Sequence, residues 1–165
     1  MNNELMRVRE FHSHIGESVS SAPRLLDHEP KSDNELAQML RQIVQSFNER
    51  QEKPTQLIRR SLMAIEELAE WIEAHANADL VAAADAWGDR VYVLLGDAVA
   101  AGLPADAIFE EVHRCNMTKF GANTTSGKGI KSVGFRRPEL QHILLNAGRN
   151  TETLGDNNLD FGNVI

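Results

Sequence analysis

The chain has one cysteine, Cys115, among its 165 residues. No disulfide can close within it, and a cysteine-based zinc site is excluded. Aromatic residues make up only 5%. With Ala and Leu frequent, that scarcity favours helix over sheet. Apolar runs are short: none approaches the roughly 18 residues of a membrane-spanning helix. The polar start, MNNELMRVREFHSH, also lacks the apolar core of a signal peptide. A cytoplasmic protein with no membrane partner is expected, in which the sequons at Asn116 and Asn123 carry no glycan. Positive charge is short as well, with 17 Lys and Arg against 24 Asp and Glu, a net charge of −7 and a pI near 5.3. A nucleic-acid polymer needs a basic surface to neutralise its phosphates, so that partner is not expected. A single nucleotide can still bind an acidic protein if a metal ion bridges the two.

What is present is ordinary for a globular domain, 42% hydrophobic and 25% charged. Residues 1–148 read as one all-α domain, and 149–165 as a tail with little to pack. Apolar residues recur at helical spacing over 4–15, 33–50, 55–76 and 80–102. PADAIFEEVHRCNMTKF predicts a fifth helix over 104–120, and PELQHILLNAG a last short one. Ser32 or Asp33 is the expected cap of the second helix, and Asp79 that of the fourth. LVAAADAWGDRVYVLLGDAVAAG is small and apolar on most sides, as a buried central helix would be. Between 121 and 138 the chain is rich in Gly, Thr, Ser and basic residues and has no helical period. The third and fourth helices, joined by Asn77–Asp79, predict an antiparallel hairpin.

That hairpin carries the chemistry. IEELAEW places Glu66, Glu67 and Glu70 within seven residues, and Glu73 follows one turn on. Residues three or four apart share a helix face, so Glu66, Glu70 and Glu73 form a stripe beside Glu67. On the next helix Asp85 and Asp89 share a face among Ala83, Ala84, Ala86, Trp87 and Gly88. Ionised acids in apolar surroundings are costly unless compensated, and Arg90 is the one basic residue that helix offers nearby. An all-oxygen carboxylate set suits Mg²⁺ or Mn²⁺. The plainer alternative is a solvated face balanced by Arg59 and Arg60. The Glu-x-x-His spacing of a di-iron bundle occurs at Glu110-x-x-His113, a reading ranked below a divalent cation held by carboxylates.

IEELAEW and DAWGDRVYVLLG resemble the two acidic motifs of the all-α nucleoside triphosphate pyrophosphohydrolases, the MazG-like and phosphoribosyl-ATP pyrophosphohydrolase-like superfamily. VREFH, VHRCNMTKF and GKGIKSVGF resemble segments of one subgroup. The likeness covers about residues 7–23 and 57–145. Segment 31–53 looks like an added helix. The family's second motif is commonly Glu-x-x-Asp ending at the position of Asp89, yet Ala86 stands where its Glu belongs, with Asp85 one residue earlier. The resemblance implies cleavage of a nucleoside triphosphate to its monophosphate and pyrophosphate, for nucleotide-pool control. It assigns Glu67, Glu70, Asp89 and Asp85 to Mg²⁺ or Mn²⁺, and Glu66 to the role of general base.

An anionic substrate also needs donors. Asn116 and Lys119, three apart on the expected fifth helix, suit sugar or phosphate. Lys128 and Lys131 lie in a glycine-containing loop that is not a P-loop, since Gly129 rather than Ser or Thr follows Lys128. Phe11 and His12 are candidates to face the base, against the plainer reading of Phe11 as core. Trp71 and Trp87 read as packing or subunit contacts. A two-helix centre on so short a chain leaves an apolar face uncovered, so a homodimer or homotetramer is expected to complete the bundle. No residue fixes the base; dGTP, then dUTP, is the working expectation. The competing readings are a non-enzymatic helical interaction module and the same fold acting on a phosphoribosyl nucleotide.

Overall fold

A computed structural model describes residues 2–154. The expected C-terminal tail begins inside its last helix, which runs to Leu154, and residues 155–165 lie outside the described part. The elements in order are α1 (Asn2–Ile15), α2 (Pro30–Asn48), α3 (Gln56–Ala76), α4 (Leu80–Ala101), α5 (Ala105–Asn116), β1 (Lys119–Ala122), β2 (Gly129–Lys131) and α6 (Leu140–Leu154). This is the expected all-α bundle with one small hairpin added. Among the described residues no single helix is long and apolar enough to cross a membrane. The described residues pack as two compact units, 20–101 and 2–19 with 102–154.

In the unit of residues 20–101, α2 and α4 both pack on α3. The central helix is therefore α3, not the small and apolar α4. Only Ala83 and Ala86 of α4 are buried, whereas Val81, Tyr92, Leu94, Leu95 and Val99 are exposed. The reason is supply: within this unit α3 is the helix on which α4 packs, so one stripe is covered and the rest faces out. The start of α2 also differs from expectation. Glu29 caps it, accepting from the amides of Lys31 and Ser32, with Pro30 in the first turn, where the missing N–H costs nothing. Asp33 returns the favour by accepting from the Glu29 amide at 2.8 Å. Thr55 caps α3 through the Ile58 amide. Asp79 caps α4 as expected, its Oδ1 accepting from Val81 and Ala82 at 3.0 Å each. Ala78 turns the corner with a positive φ of 54°. Towards the other end of the α3–α4 pair, Arg60 donates to Asp97 and to the Val93 carbonyl. It is thus engaged there rather than with the glutamates of IEELAEW.

In the other unit α1 lies along α5, tied by Arg7–Glu110 at 3.1 Å and His113–Glu10 at 3.5 Å. Ile15 and Cys115 are buried. The expected helix to Phe120 stops at Asn116. The Thr118 hydroxyl donates to the Cys115 carbonyl at 2.7 Å, and the chain then enters β1. The glycine-rich segment, expected to be irregular, is a β-hairpin. Lys119 pairs with Lys131, Phe120 with Ile130 and Ala122 with Gly129. A register shift falls at Gly121, whose φ is +59°, a conformation that glycine adopts without strain. Asn123 organises the turn, its side-chain oxygen accepting from the amides of Thr125 and Ser126.

Gly129 is required by close approach. A Cβ there would meet Lys119 Cδ at 2.9 Å and Phe11 Cζ at 3.0 Å. Gly129→Val is expected to cost about 1–3 kcal/mol through overpacking. A lowered chemical-denaturation midpoint, with amide shifts concentrated at residues 11 and 119, would show it.

Candidate active site

The acids of α3 and α4 are brought together by the turn between them. Glu67 lies ten residues before Asn77, and Asp89 ten residues after Asp79. Folding α4 back on α3 therefore sets the two at matching heights, with Glu70 and Asp85 nearer the turn. Glu66, Glu70, Asp85 and Asp89 are exposed, while Glu67 is half-buried. Burial pushes the Glu67 carboxyl above its ordinary value, and the charges of Glu70, Asp89, Glu66 and Asp85, in decreasing order, push it further. The other four carboxylates are thus within electrostatic reach of Glu67. Its Oε2 is shielded from solvent and has no hydrogen-bond partner among the described residues. Ala86, where the resemblance leads one to look for a glutamate, is buried.

The nearest cation comes from a place that sequence spacing did not reveal. Arg41 of α2 donates Nε–H and Nη2–H to the two oxygens of Glu73, both at 2.6 Å, and Nη2 lies 3.8 Å from Glu70 Oε1. Arg90, next to Asp89, stacks on Trp71 with 4.6 Å from guanidinium carbon to ring centre. Trp71 packs in turn against the buried His75, whose Nδ1 lies 2.8 Å from the Trp71 carbonyl oxygen. Trp71 is therefore a packing residue, as expected.

Among the described residues no group of three or more His, Cys, Asp or Glu side chains is placed to hold a metal ion. The donor set nevertheless fits a hard divalent cation, being all carboxylate oxygen. The shielded, unpartnered oxygen of Glu67 is the specific sign, because a buried acceptor left without a donor is costly unless something fills its place.

The other predicted residues belong to the hairpin unit. Asn116 ends α5 and is half-buried. Lys119 and Lys131 oppose each other across the two strands, so their side chains leave one face of the hairpin. Lys119 lies over the Phe11 ring at 5.8 Å, and Lys131 over Phe135 at 5.0 Å. Lys128 sits in the exposed turn, where its carbonyl accepts from Asn123. Phe11 packs on the hairpin, so it is partly core. His12 Nδ1 is 3.3 Å from the Ser18 carbonyl. Sequence reasoning missed His14, whose Nε2 meets the Lys119 carbonyl at 2.9 Å and pins β1 to α1. A hollow at the start of α6, lined by Pro138, Glu139, Leu140, Gln141, His142 and Leu145, contains none of these groups.

Residues 34–116 match the phosphoribosyl-ATP pyrophosphohydrolase family. The match takes in half of the chain. It belongs to that family. No curated protein matches the chain. Membership in the phosphoribosyl-ATP pyrophosphohydrolase family establishes the coarse activity, a hydrolase that acts on nucleotides and releases pyrophosphate. The family span takes in most of α2, all of α3 and α4, and α5 to its last residue. It therefore contains every carboxylate around Glu67, together with Arg41 and Asn116. Phe11, His12, Lys119, Lys128 and Lys131 fall outside it.

Proposed function

We propose that the chain cleaves a nucleoside triphosphate between its α and β phosphates, releasing the monophosphate and pyrophosphate, with Mg²⁺ or Mn²⁺ held by Glu67, Glu70, Asp89 and Asp85. The observation that carries this reading is the Glu67 carboxylate, whose Oε2 is shielded and has no hydrogen-bond partner among the described residues, and on which the charges of four other acids act. Such a group is stable as an anion only beside a positive charge. When bound, the cation neutralises phosphate charge and stabilises the charge that develops on the bridging oxygen.

The remaining chemistry falls to the chain. Glu66 neighbours Glu67 in sequence but points roughly 100° round the helix, and it is exposed to water. Its carboxylate takes the proton of the attacking water as the new P–O bond forms and the α–β bridge breaks. Asn116, Lys119, Lys128 and Lys131 supply hydrogen bonds to sugar and phosphates, and Phe11 and His12 face the base. The opposed lysines of the hairpin support the anion-binding role, because like charges paired across strands are unfavourable unless an anion offsets them. The exposed apolar residues of α4, Tyr92, Leu94, Leu95 and Val99 among them, favour a homodimer or homotetramer.

A second substrate reading is a phosphoribosyl nucleotide, favoured by the description of the matched family. It uses the same bond cleavage on a triphosphate that bears an extra ribose phosphate. The test is a pyrophosphate-release screen over the common nucleoside triphosphates, with dGTP and dUTP leading, and over phosphoribosyl-ATP, with each metal and with chelator. Turnover of a deoxynucleoside triphosphate that chelator abolishes supports pool control. Turnover of phosphoribosyl-ATP alone moves the assignment to the second reading, and no pyrophosphate from any substrate sinks both.

A further inference from the structure

The acidic unit carries a cation that the proposed chemistry has not used. Arg41 is held by Glu73 through two parallel bonds, the fork geometry in which guanidinium meets carboxylate most strongly. Those bonds occupy two of its five N–H groups. Of the remaining three, one is on Nη2, the nitrogen 3.8 Å from Glu70, and two are on Nη1, for which no hydrogen-bond partner occurs among the described residues. Glu70 is a proposed cation ligand, so the unused donors border the place where a cation-bound phosphate would rest.

The other arginines of this unit with described contacts are turned to different tasks. Arg24 pairs with Asp27, Arg50 covers Phe47, Arg60 reaches Asp97 and Arg90 covers Trp71. Arg41 alone among them pairs with acids of the IEELAEW helix. The pairing also sets Glu73 apart from the other acids of its stripe. Both of its oxygens are taken by Arg41, and that contact holds its carboxyl below the usual value.

We propose that Arg41 is a substrate-contacting residue that donates to the departing phosphates, and that Glu73 is its positioning residue rather than a metal ligand. This rests on the pyrophosphohydrolase reading above. A planar guanidinium fixed on one edge by a carboxylate presents its other edge with little entropy left to lose, which suits a polyphosphate better than a mobile lysine does. The alternative is an ion pair that only fastens α2 to α3.

The experiment uses two titrations of the whole chain by calorimetry, Mn²⁺ alone and then inorganic pyrophosphate at saturating Mn²⁺. The wild type, Arg41→Ala, Arg41→Lys and Glu73→Gln are compared, with circular dichroism to confirm folding. Arg41→Ala is expected to bind Mn²⁺ at least as tightly as the wild type, since a positive charge has been removed. Its pyrophosphate affinity is expected to fall by about 10–100-fold, the range of a lost charge-assisted contact. Arg41→Lys should keep part of that affinity. Glu73→Gln should lose some pyrophosphate affinity while keeping Mn²⁺. Unchanged pyrophosphate affinity in folded Arg41→Ala, or in Arg41→Lys if the alanine variant does not fold, overturns the inference and leaves the pyrophosphohydrolase reading standing. Loss of Mn²⁺ binding in folded Glu73→Gln overturns the role given to Glu73. A wild type that binds neither probe overturns both readings.

Discussion

Glu67→Gln is expected to lower kcat/KM by on the order of 10²–10³ or more, as for removal of a preorganised charge at a reacting centre, and at the same time to stabilise the metal-free protein. The two effects share one cause. In the absence of a cation, the Glu67 charge is desolvated and faces Glu70, Asp89, Glu66 and Asp85. The amide has nearly the same shape, carries no charge and has its own N–H groups to offer the surrounding oxygens. The linkage is explicit. A carboxyl raised above its ordinary value of 4.5 binds more protons folded than unfolded, so stability falls as pH rises from that value through the raised one. In chelator the wild-type unfolding midpoint should drop over this interval, and the Glu67→Gln midpoint should drop less. Adding Mg²⁺ or Mn²⁺ should raise the wild-type midpoint at neutral pH and leave the variant nearly unmoved. A wild type with no metal response and a variant with full activity would together remove Glu67 from the site.

The same residue shows how much sequence can disclose. Glu67, Glu70 and Asp89 were legible because helical spacing and a three-residue turn fix which faces meet, and both are local properties. Arg41 was not legible. It approaches Glu73 across 32 positions, and helix-to-helix register between α2 and α3 depends on packing that no spacing rule records. The supposed balancing pair, Arg59 and Arg60, shows the same limit, since Arg60 turns out to serve Asp97. The central position of α3 was misjudged for a related reason. Composition measures how apolar a helix is, whereas burial depends on how many neighbours the fold supplies, and α4 has more apolar surface than this unit covers. The hairpin was missed because its strands are four and three residues long and each contains a glycine, too short for alternation to register. Of the two lysines it pairs, Lys131 was read in a glycine-containing loop and Lys119 on the preceding helix, so their opposition was not legible.

Glu111→Ala should be the most destabilising substitution in the hairpin unit, because one carboxylate there accepts four hydrogen bonds. Its oxygens accept two bonds from Arg114, at 2.8 and 2.7 Å, and one from the Glu139 amide at 2.7 Å. The Cys115 thiol also donates to it. The Glu139 contact matters most for the fold, since it ties α5 to the residue just before α6. Alanine leaves that amide and the guanidinium without their shared acceptor, and an unsatisfied shielded donor costs more than the bond itself was worth. A fall in thermal midpoint on the order of 5–10 °C is expected, with Glu111→Gln intermediate, because its side-chain oxygen still accepts from the Glu139 amide. The pH dependence runs opposite to that at Glu67. Arg114 first, then the Glu139 amide, hold the Glu111 carboxyl at about 2, well below its ordinary 4.5. The unfolded state therefore binds the proton first, so the stabilisation is complete above 4.5 and is lost as pH falls towards 2. Wild type should lose midpoint over that interval more steeply than Glu111→Gln. Parallel curves for the two proteins would mean that the carboxylate is not the keystone its contacts indicate. Activity supplies a further check, because Glu111 touches none of the proposed reacting groups: below its melting range, Glu111→Gln should keep the metal response of the wild type.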